Sequence, residues 1–314
     1  MNKYTKISKE LRSVEALIKR DFSKENTISG LYKYIFKSNG KKIRAKLCLT
    51  TSSRTKNKEK IKLASVIELL HTATLIHDDV VDESPTRRGI RSVNNVWTNA
   101  HGVLIGDYIY SKAFIYLVDI GNKKILKELA STTNDIAQGE LVQLDAINNV
   151  NITLNKLKKI SYFKTGRLFE AAAKTGAIIA NENKAFNYNV SECAKNLGIL
   201  FQIIDDLLDY SDSKKIGKPV FQDIKEGKVT YPFFYSYKNA NTREKKRLKD
   251  LLGVSRDLKS KDLELIKSLE GIKKTKQLAE KYHIKAIEYA KKIKNLDIRK
   301  EMIELADTAL NRDK

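Results

Sequence analysis

The sequence predicts an all-α protein, and the periodicity of its apolar residues is the main reason. Apolar residues recur at i, i+3, i+4 and i+7 through most of the 314 residues, whereas the alternating pattern of strands is nearly absent. The clearest cases are "LASVIELLHTATLIHDDVV", "ECAKNLGILFQIIDDLLDY" and the C-terminal "ELADTAL". Several helices are apolar nearly all round, which indicates that they are buried. We therefore expect a bundle of at least about ten helices.

Three prolines set the predicted helix boundaries. Pro85 should end a helix near Glu83, because proline disfavours a helical conformation at the residue before it. Pro219 falls in the predicted loop "SKKIGKPVFQD", and Pro232 is expected in the first turn of the helix "YPFFYSYK", where proline is tolerated. The chain has only 14 glycines and no Gly/Ser/Pro-rich linker, so we predict a single domain over residues 1–314.

Composition narrows the class of protein. The net charge is +22, but the lysines are spread over the whole chain and no nucleic-acid-binding module is present. We therefore expect no nucleic-acid partner and at most peripheral association with an acidic membrane surface. Cys48 and Cys193 stand alone, without zinc-ligand spacing, and are expected to be reduced core residues. The N-terminus lacks an apolar leader, and Asp107 and Lys112 interrupt the most hydrophobic stretch, which favours a cytoplasmic protein.

An acidic motif, "HDDVVDESPTRRG" at residues 77–89, is difficult to explain by stability alone. Asp78 and Asp82 are four residues apart, so they lie on one helix face about 6 Å from each other, with Asp79 beside them. They occupy the last turn before Pro85, where the helix dipole penalises an unpaired carboxylate by about 0.3–1 kcal/mol. This cost indicates a functional role.

The same pattern recurs in "FQIIDDLLDYSD", where Asp205 and Asp209 are four residues apart and Asp206 is adjacent. Both motifs emerge from apolar helices, where unpaired charge is costly. Carboxylate oxygens without His or Cys ligands at metal spacing favour Mg²⁺, which binds a few carboxylates together with waters and substrate phosphates. An EF-hand does not fit, because the first motif has no glycine at its sixth position. The motifs therefore predict a cluster of Mg²⁺ ions that holds a diphosphate.

With these two DDxxD motifs and the segments "GKKIRAKL", "ELLHTATLIHDDVVDESPTRRG", "YFKTGRLFEAAA", "FQIIDDLLDY" and "GKVTYP", the chain resembles the trans-isoprenyl diphosphate synthases, also called polyprenyl synthetases. The resemblance covers roughly residues 30 to 235, in the family's order. It implies a single large helical bundle around a central active-site cavity. It also implies head-to-tail condensation of isopentenyl diphosphate with an allylic diphosphate, a Mg²⁺ cofactor and a homodimer.

The resemblance assigns site residues by position. The metal ligands would be Asp78, Asp79, Asp82, Asp205, Asp206 and Asp209. The isopentenyl diphosphate pocket would contain Lys41, Arg44, His71 and Arg88. The allylic diphosphate would contact Arg87, Lys164, Thr165, Gln202, Lys218 and Lys228. The residues closest to the chemistry would be Asp78, Asp82, Asp205, Arg87 and Lys164, and the released diphosphate, not a protein side chain, is expected to accept the proton.

Product length is predicted from the residues just before the first motif. The growing chain is expected to descend along the helix, and Thr74 and Ala73 lie four and five positions before Asp78, about 6–7.5 Å below the metals. Their small side chains leave the path open. This favours a long-chain, octaprenyl-like product, the type that supplies quinone side chains. The chain departs from the family at Ala45, where proline is usual, and at Phe221, where glycine is usual.

Several alternatives stay open at this point. A short-chain farnesyl or geranylgeranyl diphosphate synthase, or the catalytic subunit of a two-component heptaprenyl diphosphate synthase, would carry the same motifs. A class I terpene cyclase would use a DDxxD motif but would need no isopentenyl diphosphate pocket, and a head-to-head synthase would show DxxxD pairs. A non-enzymatic regulatory partner would usually lose the aspartates, all of which are present.

Overall fold

The computed structural model describes residues 3–20, 24–37, 40–56, 58–87, 89–210, 221–254 and 260–312. Within these ranges the regular structure is helical except for one short antiparallel hairpin, whose strands are β1 (Thr86–Arg87) and β2 (Ile90–Arg91). The all-α prediction is therefore confirmed.

Helices follow one another along the chain. Those before the midpoint are α1 (Lys3–Arg20), α2 (Asn26–Ile35), α3 (Ile43–Thr51), α4 (Glu59–Val81), α5 (Val93–Val96), α6 (Asn99–Ile120) and α7 (Lys123–Leu144). A π-helical turn, Tyr162–Gly166, separates the next two helices, α8 (Leu154–Ser161) and α9 (Arg167–Ile179). The others are α10 (Lys184–Leu208), α11 (Gln222–Lys225), α12 (Tyr231–Asn239), α13 (Thr242–Lys249), α14 (Ser260–Ser268), α15 (Gly271–Lys291) and α16 (Leu296–Leu310).

The helix boundaries agree with the proline positions where the structure describes them. α4 ends at Val81, and Pro85 follows in the turn before β1. Pro232 lies in the first turn of α12. N–H groups in a first turn have no acceptor within the helix, so the missing N–H of proline costs no helical hydrogen bond. Pro219 lies outside the described residues.

Contacts between residues divide the chain into two compact units. The first consists of Met1–Thr133 and Ala171–Ser191, and the second consists of Asn134–Glu170 and Glu192–Lys314. The first aspartate motif belongs to the first unit, and the second motif belongs to the second unit. A single domain over the whole chain stays a prediction.

In the first unit, α4 packs against α6, α3 and α1. Two glycines of α6 permit a close approach to the C-terminal half of α4. A Cβ atom at Gly106 would overlap the imidazole of His77, and one at Gly102 would lie 2.5 Å from Cγ2 of Val80. Helix α6 therefore supports the turns of α4 that carry the first motif.

In the second unit, the π-helical turn lies directly against α10. A Cβ atom at Gly198 would lie 2.7 Å from Cα of Gly166 and 2.9 Å from Cβ of Phe169. This approach requires glycine, because a side chain would force the backbones apart. The contact places Lys164 and Thr165 beside the helix that ends in the second motif.

The two cysteines are free and buried, as predicted. Burial raises the pKa of both thiols, and that of Cys193 reaches about 12. Cys48 and Cys193 are therefore protonated at neutral pH and behave as small apolar core residues.

Candidate active site

The first aspartate motif forms the C-terminal end of α4 and the turn that follows. The N–H of Asp82 donates to the carbonyl oxygen of Asp78 at 2.8 Å. The carbonyl oxygen of Asp79 accepts from the N–H of Ser84 at 2.9 Å and from the side-chain amide of Asn94 at 3.2 Å. Asp78 and Asp82 are half-buried, and Asp79 is buried. The carboxylates therefore project from a backbone that these hydrogen bonds hold in one conformation.

The carboxylate of Asp79 binds Arg87 of strand β1. Nε and Nη2 of Arg87 donate to Oδ1 of Asp79 at 2.8 and 2.5 Å. Burial raises the pKa of Asp79, and the hydrogen bond from Arg87 offsets part of that increase. Burial alone would lower the pKa of Arg87, but its bond to Asp79 and the neighbouring carboxylates raise it overall. The arginine predicted to bind the allylic diphosphate is thus charged and oriented by an aspartate of the adjacent motif.

A cavity of about 110 Å³ lies beside this ion pair, within the first unit. Its lining includes Glu68, His71 and Asp79 from α4, Arg87 from the hairpin and Lys42 from the start of α3. Cationic and hydrogen-bonding groups therefore share one concave surface with apolar side chains. Such a surface suits an anionic ligand that also has an apolar part.

Two of the residues predicted to bind isopentenyl diphosphate are in contact. Nη1 of Arg44 lies 3.0 Å from Nε2 of His71. Lys41 is exposed just before α3, and Arg88 lies outside the described residues. Sequence analysis did not select Lys42, yet Lys42 lines the cavity and its Nζ pairs with a carboxylate oxygen of Glu15 at 2.5 Å.

The second aspartate motif lies at the C-terminal end of α10, and its carboxylates have separate partners. Oδ1 of Asp205 accepts from Nη1 of Arg312 at 2.8 Å. Oδ1 of Asp206 accepts from Nε2 of Gln202 at 2.8 Å, and Oε1 of the same Gln202 side chain accepts from the hydroxyl of Thr165 at 2.6 Å. Gln202 therefore connects two predicted site residues, Thr165 and Asp206, in one hydrogen-bonded chain.

Carboxylates are crowded beyond the end of α10. The carboxylate of Asp209 accepts from the backbone N–H of Gln222 at 2.9 Å and from that of Asp223 at 3.2 Å. Burial, followed by the charge of Asp223, raises the pKa of Asp209 to about 8. The same two causes raise the pKa of Asp206 well above its ordinary value. Asp223 is a member of this group that sequence analysis missed, because nothing in its spacing relates it to the DDxxD pattern.

The lysines predicted to contact the allylic diphosphate are paired with acceptors where they are described. Nζ of Lys164, in the π-helical turn, donates to Glu140 at 2.9 Å and to Gln143 at 3.0 Å. Turns of this type are frequent at functional sites. Nζ of Lys228 lies 2.6 Å from a carboxylate oxygen of Glu226. Lys218 lies outside the described residues.

The two residues predicted to set product length lie on α4, four and five positions before Asp78. Ala73 is fully buried. Thr74 is half-buried, and its hydroxyl donates to the carbonyl oxygen of His71 at 2.8 Å. Their effect on product length stays a prediction.

The donor chemistry of both motifs fits Mg²⁺. Among the described residues, no three His, Cys, Asp or Glu side chains are gathered closely enough to form a metal-binding group. The side chains present are nevertheless carboxylates, the ligands that Mg²⁺ prefers. Burial, followed by the charge of Asp223, raises the pKa of both Asp206 and Asp209, and a bound divalent cation would stabilise their charged forms.

An all-α protein with an aspartate motif at the ends of two helices, and with a cationic cavity beside one of them, has the features of an enzyme that acts on prenyl diphosphates. Residues 25–269 match the polyprenyl synthetase family. The chain belongs to this family.

Similar proteins have related activities. The chain is 37% identical over 233 residues to octaprenyl diphosphate synthase of Escherichia coli strain K12, which covers 73% of this chain and 72% of the relative. It shares 31% identity and a TM-score of 0.92 with the crystal structure of a decaprenyl diphosphate synthase from Rhodobacter capsulatus, over 99% of this chain and 98% of the other. A polyprenyl synthase from Caulobacter crescentus CB15, complexed with calcium and isoprenyl diphosphate, has 32% identity and a TM-score of 0.91 over 98% and 96% of the chains.

These likenesses show that the chain has the helical fold of the isoprenoid synthases and is a prenyltransferase that catalyses trans-prenyl condensation. No helix in the described part of the chain combines the length and the apolar character needed to cross a bilayer.

Proposed function

We propose that the enzyme condenses isopentenyl diphosphate head to tail with an allylic diphosphate, depends on Mg²⁺, and releases an octaprenyl-like all-trans product. The observation that carries the proposal is the cavity beside the Asp79–Arg87 pair, where an aspartate motif, an arginine and a histidine meet. This combination joins metal ligands to phosphate-binding groups, which a cyclase without a second diphosphate substrate would not require.

The proposed metal ligands are Asp78 and Asp82 of the first motif and Asp205 of the second, with Asp79, Asp206 and Asp209 in support. Bound Mg²⁺ would neutralise the allylic diphosphate and stabilise it as a leaving group. The Arg87 guanidinium, which Asp79 orients, and the Lys164 ammonium would each supply a cationic hydrogen-bond donor to the allylic diphosphate. Thr165 and Gln202 would add hydrogen bonds at this position.

The isopentenyl diphosphate would bind in the cavity of the first unit. His71 lines this cavity and contacts Arg44, and Lys41 and Arg88 are the other proposed phosphate ligands. The role of these groups is to hold the second diphosphate so that the double bond faces the reacting carbon. The apolar part of the lining would keep water from the reacting carbon.

We propose a long product because Ala73 and Thr74, just before the first motif, have small side chains. An Ala73→Phe variant would place an aromatic ring in this path, and we expect shorter products from it. Because Ala73 is fully buried, Thr74→Phe at the adjacent half-buried position is a second variant that does not depend on overpacking the core. Products are sized by chromatography after dephosphorylation, and an unchanged distribution in both variants would refute the assignment.

We propose a homodimer that uses helix α6. Leu104, Ile115 and Val118 are 67%, 55% and 68% exposed along this helix, and an apolar stripe of this kind typically marks an interface. The test is the molar mass in solution by light scattering. Ile115→Lys should lower the mass toward that of one chain, whereas Ile284→Lys, at a residue of α15 with 56% exposure, should not. A monomeric wild-type protein would refute the proposal.

The metal assignment is tested by condensation activity. Removing divalent ions with a chelator should abolish condensation, and adding Mg²⁺ should restore it. Asp78→Asn and Asp205→Asn should lose most activity, whereas Asp119→Asn, at an exposed position of α6, should retain it. Full activity in the chelated enzyme, or in both motif variants, would contradict the proposal.

A further inference from the structure

The first turn of α3 has a backbone donor that its own segment does not satisfy. The N-cap residue, Lys42, lies in the left-handed region at φ 47° and makes no side-chain capping bond. The N–H of Ala45, at the third helical position, has no earlier carbonyl in the helix to bind. Ala45 is fully buried, so water does not replace the missing cap. A buried N–H without an acceptor is costly, and an acceptor must therefore come from elsewhere.

The acceptor is Glu68 of helix α4. Its Oε1 accepts from the N–H of Ala45 at 3.0 Å, and Glu68 itself is only 8% exposed. A carboxylate at this position also interacts favourably with the positive end of the α3 dipole. Proline at position 45 would have no N–H to offer. The alanine at this position therefore supplies the donor that Glu68 binds.

The capped turn carries one side chain of the proposed isopentenyl diphosphate pocket. Arg44 lies directly before Ala45, and its guanidinium contacts His71 at 3.0 Å. His71 lies three residues after Glu68, on the same face of α4. Glu68, His71 and Lys42 all line the 110 Å³ cavity. Helix α4 thus binds both the backbone and the Arg44 side chain of this turn, and it does so through two residues that line the cavity.

We propose that Glu68 is a positioning residue for isopentenyl diphosphate: by capping α3 through Ala45, it fixes the turn that places Arg44 against His71 of the cavity lining. The inference rests on the proposed function, because it assigns Glu68 to the pocket of that substrate. Glu68 is not assigned contact with the reacting atoms. Its effect is therefore expected on the binding of one substrate and not on the chemical step.

The test uses steady-state kinetics and direct binding with the full chain. Glu68→Ala should raise the KM for isopentenyl diphosphate about tenfold, the factor that corresponds to about 1.4 kcal/mol. The KM for the allylic substrate and kcat should change less than about twofold. Glu68→Gln keeps an acceptor oxygen and should stay within about threefold of the wild type. Glu280→Ala, at an exposed position of α15, is the matched control.

A double-variant cycle isolates the Ala45 bond. In an Ala45→Pro background the donor is absent, so the effect of Glu68→Ala on the KM for isopentenyl diphosphate should fall below about threefold. Isothermal titration with isopentenyl diphosphate gives the same comparison as a Kd, without turnover. An unchanged Kd in Glu68→Ala, or a Glu68→Gln variant as weak as Glu68→Ala, would overturn the inference. A wild-type chain that neither binds nor consumes isopentenyl diphosphate would instead overturn the proposed function.

Discussion

The ion pair between Asp79 and Arg87 should be weakly stabilising as a pair but costly to break. Asp79 is 5% exposed, and burial is the largest influence on its pKa, so most of the benefit of pairing offsets the loss of hydration. Replacing Arg87 with leucine would leave a buried carboxylate beside two further aspartates. Replacing Asp79 with leucine would leave a guanidinium without its main acceptor. The double leucine variant has neither charge, so it leaves neither a buried carboxylate nor a guanidinium without an acceptor.

The burial of the two side chains sets the expected loss in the free energy of unfolding when the pair is broken. Breaking a fully buried pair costs about 3–5 kcal/mol, and the 37% exposure of the Arg87 side chain places the expected cost lower, at about 2–3 kcal/mol for each single variant. The double variant Asp79→Leu/Arg87→Leu should recover to within about 1 kcal/mol of the wild type. The coupling free energy between the two positions is then about 3 kcal/mol or more.

The assay is urea unfolding of the wild type, both single variants and the double variant at neutral pH, with condensation activity measured on the same samples. We expect all three variants to lose most activity, including the stable double variant, because Arg87 is absent or no longer oriented. If the change in the free energy of unfolding in the double variant equals the sum of the changes in the two single variants, the two positions are not coupled and the ion-pair prediction is wrong. A double variant with wild-type activity would refute the role assigned to Arg87.

Two further predictions concern the second motif and helix packing. Gln202→Leu removes the hydrogen bond to Asp206, so the KM for the allylic substrate should rise about tenfold, while an unchanged KM would exclude Gln202 from that site. Gly176→Ala would place a Cβ atom 2.5 Å from the backbone oxygen of Cys48, and we expect a loss of about 1–3 kcal/mol in urea unfolding. Gly30→Ala, with nothing within 4 Å in α2, should instead gain up to about 1 kcal/mol, and equal effects of the two glycine variants would contradict the packing argument.

The sequence could predict features that depend on local pattern. Apolar periodicity identified the helices, and proline placed the end of the first-motif helix within a few residues of Val81. The DDxxD spacing predicted that the aspartates of each motif share a helix face, and the proline-containing segments after the motifs predicted that both lie at helix ends. These signals are local, and the tertiary structure preserved them.

The contacts between distant segments had no local signal. Arg312 binds Asp205 across 107 residues of sequence, and neither its spacing nor its neighbours indicated this contact. No sequence motif indicated Glu68, because its partner is a backbone N–H of another helix and a pattern of side chains does not reveal such a contact. The position of Glu68 three residues before His71 is a signal that helical geometry could have supplied. Asp79 was assigned with the metal ligands by resemblance to the family, and only the structure relates it to Arg87.

The most direct test of the proposed function is incubation of the purified enzyme with labelled isopentenyl diphosphate, Mg²⁺ and each allylic diphosphate in turn, followed by sizing of the products. The account predicts a long, octaprenyl-like chain built from several isopentenyl units on one allylic primer. Products no longer than farnesyl or geranylgeranyl diphosphate would contradict the long-chain assignment. If no labelled isopentenyl diphosphate is incorporated into a prenyl chain with any of the primers, the proposed head-to-tail condensation is wrong.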